Sequence, residues 1–286
     1  MNTDITKNIR YIGVDDTDID LFESQYIVPN GISYNSYLIS AEKLAIMDTV
    51  DCRKADEWLN NLHTALEGRT PDYLVVQHLE PDHAGVIATV MEKYPSLVIV
   101  ASARAVQMLP QFFEDVDFEG RTIAVAEGDT LDLGGRTLQF FMAPMVHWPE
   151  VMVTYDSTDK VIFSADGFGK FGALSHTEEW ACEARRYYFN ICGKYGPQVQ
   201  TLLRKLSTLD VATICPLHGP ILTENLGYYI DLYNTWSKYE VESDGVFIAY
   251  ASIHGGTAEA ARKMAEILSA KGAVKVSVAD LSRDDM

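Results

Sequence analysis

Residues 78–85 read HLEPDHAG. Four side chains able to bind a metal ion, His78, Glu80, Asp82 and His83, fall within six residues and are interrupted only by Leu79 and Pro81. The stretch follows DYLVVQ (72–77), a short apolar run of the kind that forms a buried strand. Proline disfavours helical backbone at the residue before it, so Glu80 is expected to be extended. Extension of the whole stretch would set residues 78, 80 and 82 on one side of the chain and displace His83 by one position. The ordinary alternative is a solvated acidic loop, and the remainder of the chain has to decide between the two.

Three other strand-like runs finish in the same way. TLQFFMAP (137–144) leads into His147, KVIFSA (160–165) into Asp166 and VATICP (211–216) into His218. Strand ends in a layered fold can converge on one rim, where loops carry function. His63 and His176 fall outside this pattern and read as surface residues. The seven groups are too many for one tetrahedral ion and suit two ions with Asp166 between them. Mixed imidazole and carboxylate ligation with open positions favours non-haem iron that handles small gases. Zinc takes the same donors, so the residues rank the metals without choosing one.

The surrounding pattern is that of a layered α/β fold. YNSYLIS (34–40) and KLAIMDT (43–49) predict a hairpin, as do VMVTYD (151–156) and KVIFSAD (160–166). RKADEWLNNLHTALEG (53–68) has helical spacing through Trp58, Leu62, Ala65 and Leu66, with Gly68 suited to its end. A helix is expected over 86–94 and strands in LVIVAS and TIAVAE; further helices fall near 179–192, 197–207 and 226–240. Strands in meanders, followed by alternation with helices, imply two sheets stacked face to face with helices outside.

Composition narrows the partners. The 286 residues are 47% hydrophobic and 22% charged, which is ordinary for a globular chain. A net charge of -18 argues against nucleic acid. No stretch approaches the ~20 apolar residues of a membrane span. The start, MNTDITKNIRYIGVDDTDID, lacks a signal peptide's apolar core. Cys52, Cys182, Cys192 and Cys215 have no CxxC spacing, so buried or free thiols in a reducing cytoplasm are expected.

After the polar break ESDG (242–245) the pattern changes to strand VFIAYAS, Gly-rich turn HGGT, amphipathic helix AEAARKMAEILSA and strand AVKVSVAD. This is the start of a doubly wound domain. The 43 residues of 244–286 fall short of the ~100–150 such a domain needs, so a domain represented only by its beginning is expected. Backbone N–H groups at the helix start in SIHGGT (252–257), aided by the Ser252 and Thr257 hydroxyls, suit a phosphate.

Together these residues resemble the flavodiiron proteins (A-type flavoproteins). The resemblance spans nearly the whole chain. It rests on H78xE80xD82H83, then His147 after 64 residues, Asp166 after 19 and His218 after 52, with FSADGFGKFGAL (163–174) and EARRYYFNICGKYGPQVQ (183–200) in support. Hydrolytic relatives carry HxHxDH, which makes Glu80 the discriminating residue. The resemblance implies a metallo-β-lactamase-like αββα sandwich over 1–243 and the start of a flavodoxin-like doubly wound domain over 244–286. One iron would take His78, Glu80 and His147; the other would take Asp82, His83 and His218, with Asp166 bridging. In some members the histidine matching His83 stays unbound. Ser252, Ile253, His254, Gly255, Gly256 and Thr257 would hold FMN phosphate, although His254 and Gly256 depart from the residues common there. Loops for the flavin ring would come later in the sequence, so weak FMN binding is expected.

The implied activity is reduction of dioxygen to water, nitric oxide to nitrous oxide, or both. FMN would relay electrons from a rubredoxin-type donor or a reductase, in a head-to-tail homodimer. Trp148 is expected to line the gas or flavin pocket, and Tyr195 matches a family tyrosine implied to donate a proton or hydrogen bond; Tyr187, Tyr188 and Phe189 read as core. Two alternatives stand beside this reading: a dinuclear zinc hydrolase of the same superfamily, and a non-catalytic scaffold with a degenerate site.

Overall fold

The computed structural model describes residues 4–284, which divide into two compact units, the first running to Lys238 and the second starting at Tyr239. In the first unit a six-stranded mixed sheet runs, in spatial order, Ile9–Tyr11, Tyr37–Ser40, Leu44–Met47, Tyr73–Val76, Val98–Ser102 and Thr122–Val125. A five-stranded sheet follows in the order Thr130–Asp132, Thr137–Met142, Met152–Asp156, Val161–Phe163 and Thr213–Cys215. Both expected hairpins are present as antiparallel pairs.

Period-two alternation explains why the sheets stack. Tyr37, Ile39, Ala45, Met47, Val75 and Val100 of the first sheet cluster with Leu138, Phe140, Met152, Phe163 and Cys215 of the second. Their sequence neighbours Leu38, Ile46, Leu74, Ile99, Val153, Ile162 and Ile214 face the opposite way, into an apolar cluster shared with helices. Strands buried on both faces cannot show polar alternation, which is why these runs read as continuously apolar. Each large side chain in the interlayer, such as the fully buried Phe140, contributes about 1.5–3 kcal/mol by leaving water.

Helices cover the outer faces. Ala55–Leu66 buries Trp58, Leu62, Ala65 and Leu66, as its spacing predicts. It ends with Glu67 at φ 51° and Gly68 at φ 83°, so a non-glycine residue takes the first left-handed position. Trp180–Ile191, Gly196–Leu206 and Leu226–Ser237 lie near their expected positions, with Trp180 and Trp236 stacked at 6.0 Å. Helix Ala103–Phe112 is absent from the sequence reading. Pro110 in its last turn obscures the pattern, although Ser102, accepting from the Ala105 N–H, is an ordinary N-cap.

The HLEPDHAG stretch differs from its expected form. Glu80 is extended (ψ 139°), as Pro81 requires, but Pro81–Ala84 forms a helical turn instead of continuing the strand. Proline is well placed at a first helical position, because its missing N–H has no intrahelical role there. Asp82 and His83 therefore fall into a different donor group from His78 and Glu80, although the His78 and His83 rings stand 5.7 Å apart.

The second unit pairs Val246–Tyr250 in parallel with Val276–Asp280, joined through helix Gly256–Ala270. Among the described residues no helix is long and apolar enough to cross a membrane.

Candidate metal centre

Four strands deliver the seven candidate donors to one edge of the first unit. His78 lies beyond strand Tyr73–Val76, His147 beyond Thr137–Met142, Asp166 beyond Val161–Phe163 and His218 beyond Thr213–Cys215. The last three strands run in one direction: 137–142 and 161–163 each lie antiparallel to 152–156, and 213–215 is parallel to 161–163. Loop ties reinforce this convergence, for the Leu217 N–H donates to the Ala165 carbonyl and that of Asn35 to the Leu217 carbonyl.

The donors separate into two sets. In the first, His78 Nε2 lies 3.1 Å from Glu80 Oε2 and 3.3 Å from His147 Nε2, while His147 Nε2 lies 3.0 Å from Glu80 Oε2. Asp166 Oδ2 completes this set, 3.4 Å from His78 and 3.1 Å from His147. In the second, Asp82 Oδ2 lies 3.3 Å from His83 Nε2 and 3.2 Å from His218 Nε2. Asp166 Oδ1 faces this set, at 3.2 Å from His83 and 3.8 Å from His218. The two oxygens of one carboxylate thus address separate clusters. Donors about 2.1 Å from a common ion stand about 3.0–3.4 Å apart, which is the spacing found here.

Donor chemistry passes the same test. His78, His83, Asp166 and His218 are buried, and Glu80 and Asp82 nearly so. Both oxygens of Asp82, both of Asp166 and both ring nitrogens of His83 are buried without a hydrogen-bond partner. Buried polar atoms are almost always satisfied, so a cluster of orphaned donors fits a cation. Burial alone would raise Asp166, but His147 and His83 hold it well below the usual carboxylate range. Burial likewise opposes charge on His147, yet Asp166 and Glu80 overcome it and raise the ring to about 9.

Around the donors lie residues that the sequence reading does not single out. Phe22, Tyr34 and Tyr187 surround the His218 ring at 5.3, 6.0 and 5.5 Å between centroids. Tyr187, read as core, is buried but also borders the centre. Asp48 accepts from the Gln77 and His78 N–H groups; burial raises its carboxyl to about 6. It closes the strand-like run KLAIMDT, so the rule that found the other strand-end residues applies to it as well. Glu150 accepts from His78 Nδ1 at 2.8 Å and from the Leu79 N–H at 2.9 Å. Glu23 hydrogen-bonds Glu80, and loss of water, followed by the charge on Glu80, raises its carboxyl to about 8.

Trp148 stands edge-on to the His78 ring at 5.3 Å and forms a wall of the centre. Tyr195 is placed differently: the Lys194 ammonium lies 4.9 Å from its ring, and among the described residues no hydrogen bond or ring contact joins it to the seven donors. His63 and His176 are exposed.

In the second unit, Ser252, Ile253, His254, Gly255, Gly256 and Thr257 link a strand end to a helix start. The Gly255 N–H donates to Ser252 Oγ at 3.0 Å, and Gly255 has φ 88°, a backbone that favours glycine. A Cβ placed on Gly255 or Gly256 would meet nothing within 4 Å, so the loop leaves room for a phosphate.

Comparison with known proteins bears on both units. Residues 32–219 match the family described as ODP family beta lactamase. Diflavin flavoprotein A 1 of Synechocystis is 32% identical over 98% of this chain and 50% of its own length. The anaerobic nitric oxide reductase flavorubredoxin of Vibrio vulnificus is 31% identical over 100% of this chain and 60% of its own. The chain thus spans half to three-fifths of these two relatives. Among solved structures, rubredoxin oxygen:oxidoreductase of Desulfovibrio gigas superposes with a TM-score of 0.92 at 29% identity, covering 99% of this chain and 72% of that one.

Proposed function

The chain belongs to the flavodiiron proteins, and from that premise we propose that it reduces dioxygen to water, nitric oxide to nitrous oxide, or both, at a pair of non-haem irons supplied with electrons through FMN. The observation that carries this reading is the division of seven converging donors into two sets by the oxygens of Asp166.

In this reading His78, Glu80 and His147 would hold one iron and Asp82, His83 and His218 the other, with Asp166 placed between the two sets. When bound, the irons and FMN supply the electron transfers that side chains cannot perform. The chain's part is to hold and orient. Three carboxylates offset the charge of two cations brought close together, and Glu80 adds an anionic donor that favours the oxidised metal. Phe22, Tyr187 and Trp148 line the centre with aromatic surface and limit water. Trp148, edge-on to His78, is proposed to line the gas or flavin pocket; Tyr195 is retained as a proton or hydrogen-bond donor on the family resemblance alone.

Residues 252–257 would bind FMN phosphate through the helix start and the Ser252 and Thr257 hydroxyls. Residues 244–286 are read as belonging to a flavodoxin-like domain. A rubredoxin-type protein or a reductase as donor, a head-to-tail homodimer and a cytoplasmic location complete the proposal. None of the three relatives described above bears a hydrolase name, and Glu80 weighs against the zinc alternative.

The test is anaerobic purification, quantification of iron and FMN, and measurement of gas consumption with added FMN and a low-potential reductant. Two irons per chain and consumption of at least one gas are expected. A single ion, or a zinc pair that hydrolyses thioesters, would overturn the reading.

A further inference from the structure

The histidines of the centre are supported unequally. His218 Nδ1 donates to the Ser33 carbonyl at 2.7 Å, a neutral acceptor. His83 Nδ1 is buried and has no acceptor. His78 Nδ1 instead faces a carboxylate, Glu150 Oε1, at 2.8 Å. That carboxylate is itself fixed: its Oε1 also accepts from the Leu79 N–H, its residue is 1% exposed, and the Ser102 hydroxyl donates to the Glu150 carbonyl at 2.7 Å. The adjoining strand is tied to the same place, for the Met152 N–H donates to the Gln77 carbonyl.

A carboxylate that accepts from one ring nitrogen fixes the tautomer, points the other nitrogen's lone pair at the metal and makes the imidazole a stronger donor. A carbonyl fixes the tautomer with less charge transfer, and a ring without an acceptor gains neither effect. Glu150 reaches only the His78 set; His83 and His218 of the other set have nothing comparable.

We propose that Glu150 is a positioning residue acting through His78, and that it makes the His78–Glu80–His147 position the tighter and more easily oxidised of two unequal iron positions. The inference rests on the two-iron reading above. It treats HWPE (147–150) as one unit: His147 meets the metal from one side, while Glu150, three residues later, orients a histidine from a different strand.

The test uses protein stripped of metal and titrated anaerobically with ferrous iron against a competing chelator. Wild type is expected to take up two ions in two steps. Glu150→Gln, which keeps size and one acceptor while removing the charge, should weaken the tighter step about 10–100-fold and leave the other unchanged. In Mössbauer spectra of the loaded protein one iron signal should move and the other stay, and the potential of the affected iron should rise. Glu150→Asp keeps the charge but withdraws it from the ring by one methylene, and should weaken the same step. A purely structural role would move both steps together with the melting temperature, and that result overturns the proposal, as does no change in either step. Uptake of fewer than two ions by wild type would instead defeat the two-iron reading and the inference with it.

Discussion

At the scale of single residues, the proposed function makes Glu80 the residue that separates redox from hydrolytic chemistry. Its Oε2 lies 3.0 Å from His147 Nε2 and 3.1 Å from His78 Nε2, within one donor set. A neutral imidazole there would leave two carboxylates where three now offset the metals' charge, disfavouring the ferric state and strengthening each ion as a Lewis acid toward water. Glu80→His is therefore expected to fold and to bind metal, zinc included, while consumption of dioxygen or nitric oxide falls at least about tenfold, the lower end for disturbed metal surroundings. Oxygen-electrode measurements showing an undiminished rate would remove Glu80 from this role. The seven candidate donors stand out in the sequence because four strand-like runs each lead into one or more of them. Glu23, Phe22 and Tyr187 do not, because their places depend on how distant segments pack, and no local spacing encodes that.

At the scale of elements, the final glycine of HLEPDHAG shows what the pattern concealed. The sequence suggested an extended ligand segment, whereas the structure has an extended Glu80 followed by the turn Pro81–Ala84, with Gly85 at its end. A Cβ on Gly85 would lie 2.6 Å from the Cys52 N, 2.8 Å from the Pro81 carbonyl oxygen and 3.0 Å from that of Val50. All three contacts are backbone atoms and cannot rotate aside. The turn is thus pressed against the chain after strand Leu44–Met47, where the Thr49 N–H and hydroxyl both donate to the His83 carbonyl. Gly85→Ala should cost about 1–3 kcal/mol, the usual range for overpacking. Thermal unfolding should register a loss of several degrees, and iron content should fall with it because Asp82 and His83 ride on the displaced turn. An unchanged melting temperature would mean that the turn yields more easily than this geometry allows. Proline's effect on its predecessor was readable; the turn after it was not, since four residues are too few for periodicity to separate helix from strand.

At the scale of the whole chain, the two-layer arrangement was readable because the central strands of both sheets are buried on both faces and the helices carry apolar stripes. Helix Ala103–Phe112 and the short N-terminal strands escaped because proline and brevity weaken those signals. The change of pattern near ESDG has a physical consequence of its own. Both sheets and all seven donors of the first unit lie before residue 219, and its last helix, Leu226–Ser237, is anchored by Trp236, 1% exposed against Trp180 and Tyr188. Residues 238–247 are exposed throughout, and exposed connecting segments are preferred sites of proteolytic nicking. Glutamate-specific cleavage at Glu240 or Glu242 removes no strand, donor or buried helix of the first unit. Brief digestion of the iron-loaded protein should therefore release a fragment ending near residue 240 that keeps both irons and melts within a few degrees of the parent. Iron leaving in step with cleavage would show that residues beyond 240 stabilise the metal centre, and the first unit could then no longer be treated as a self-sufficient metal domain.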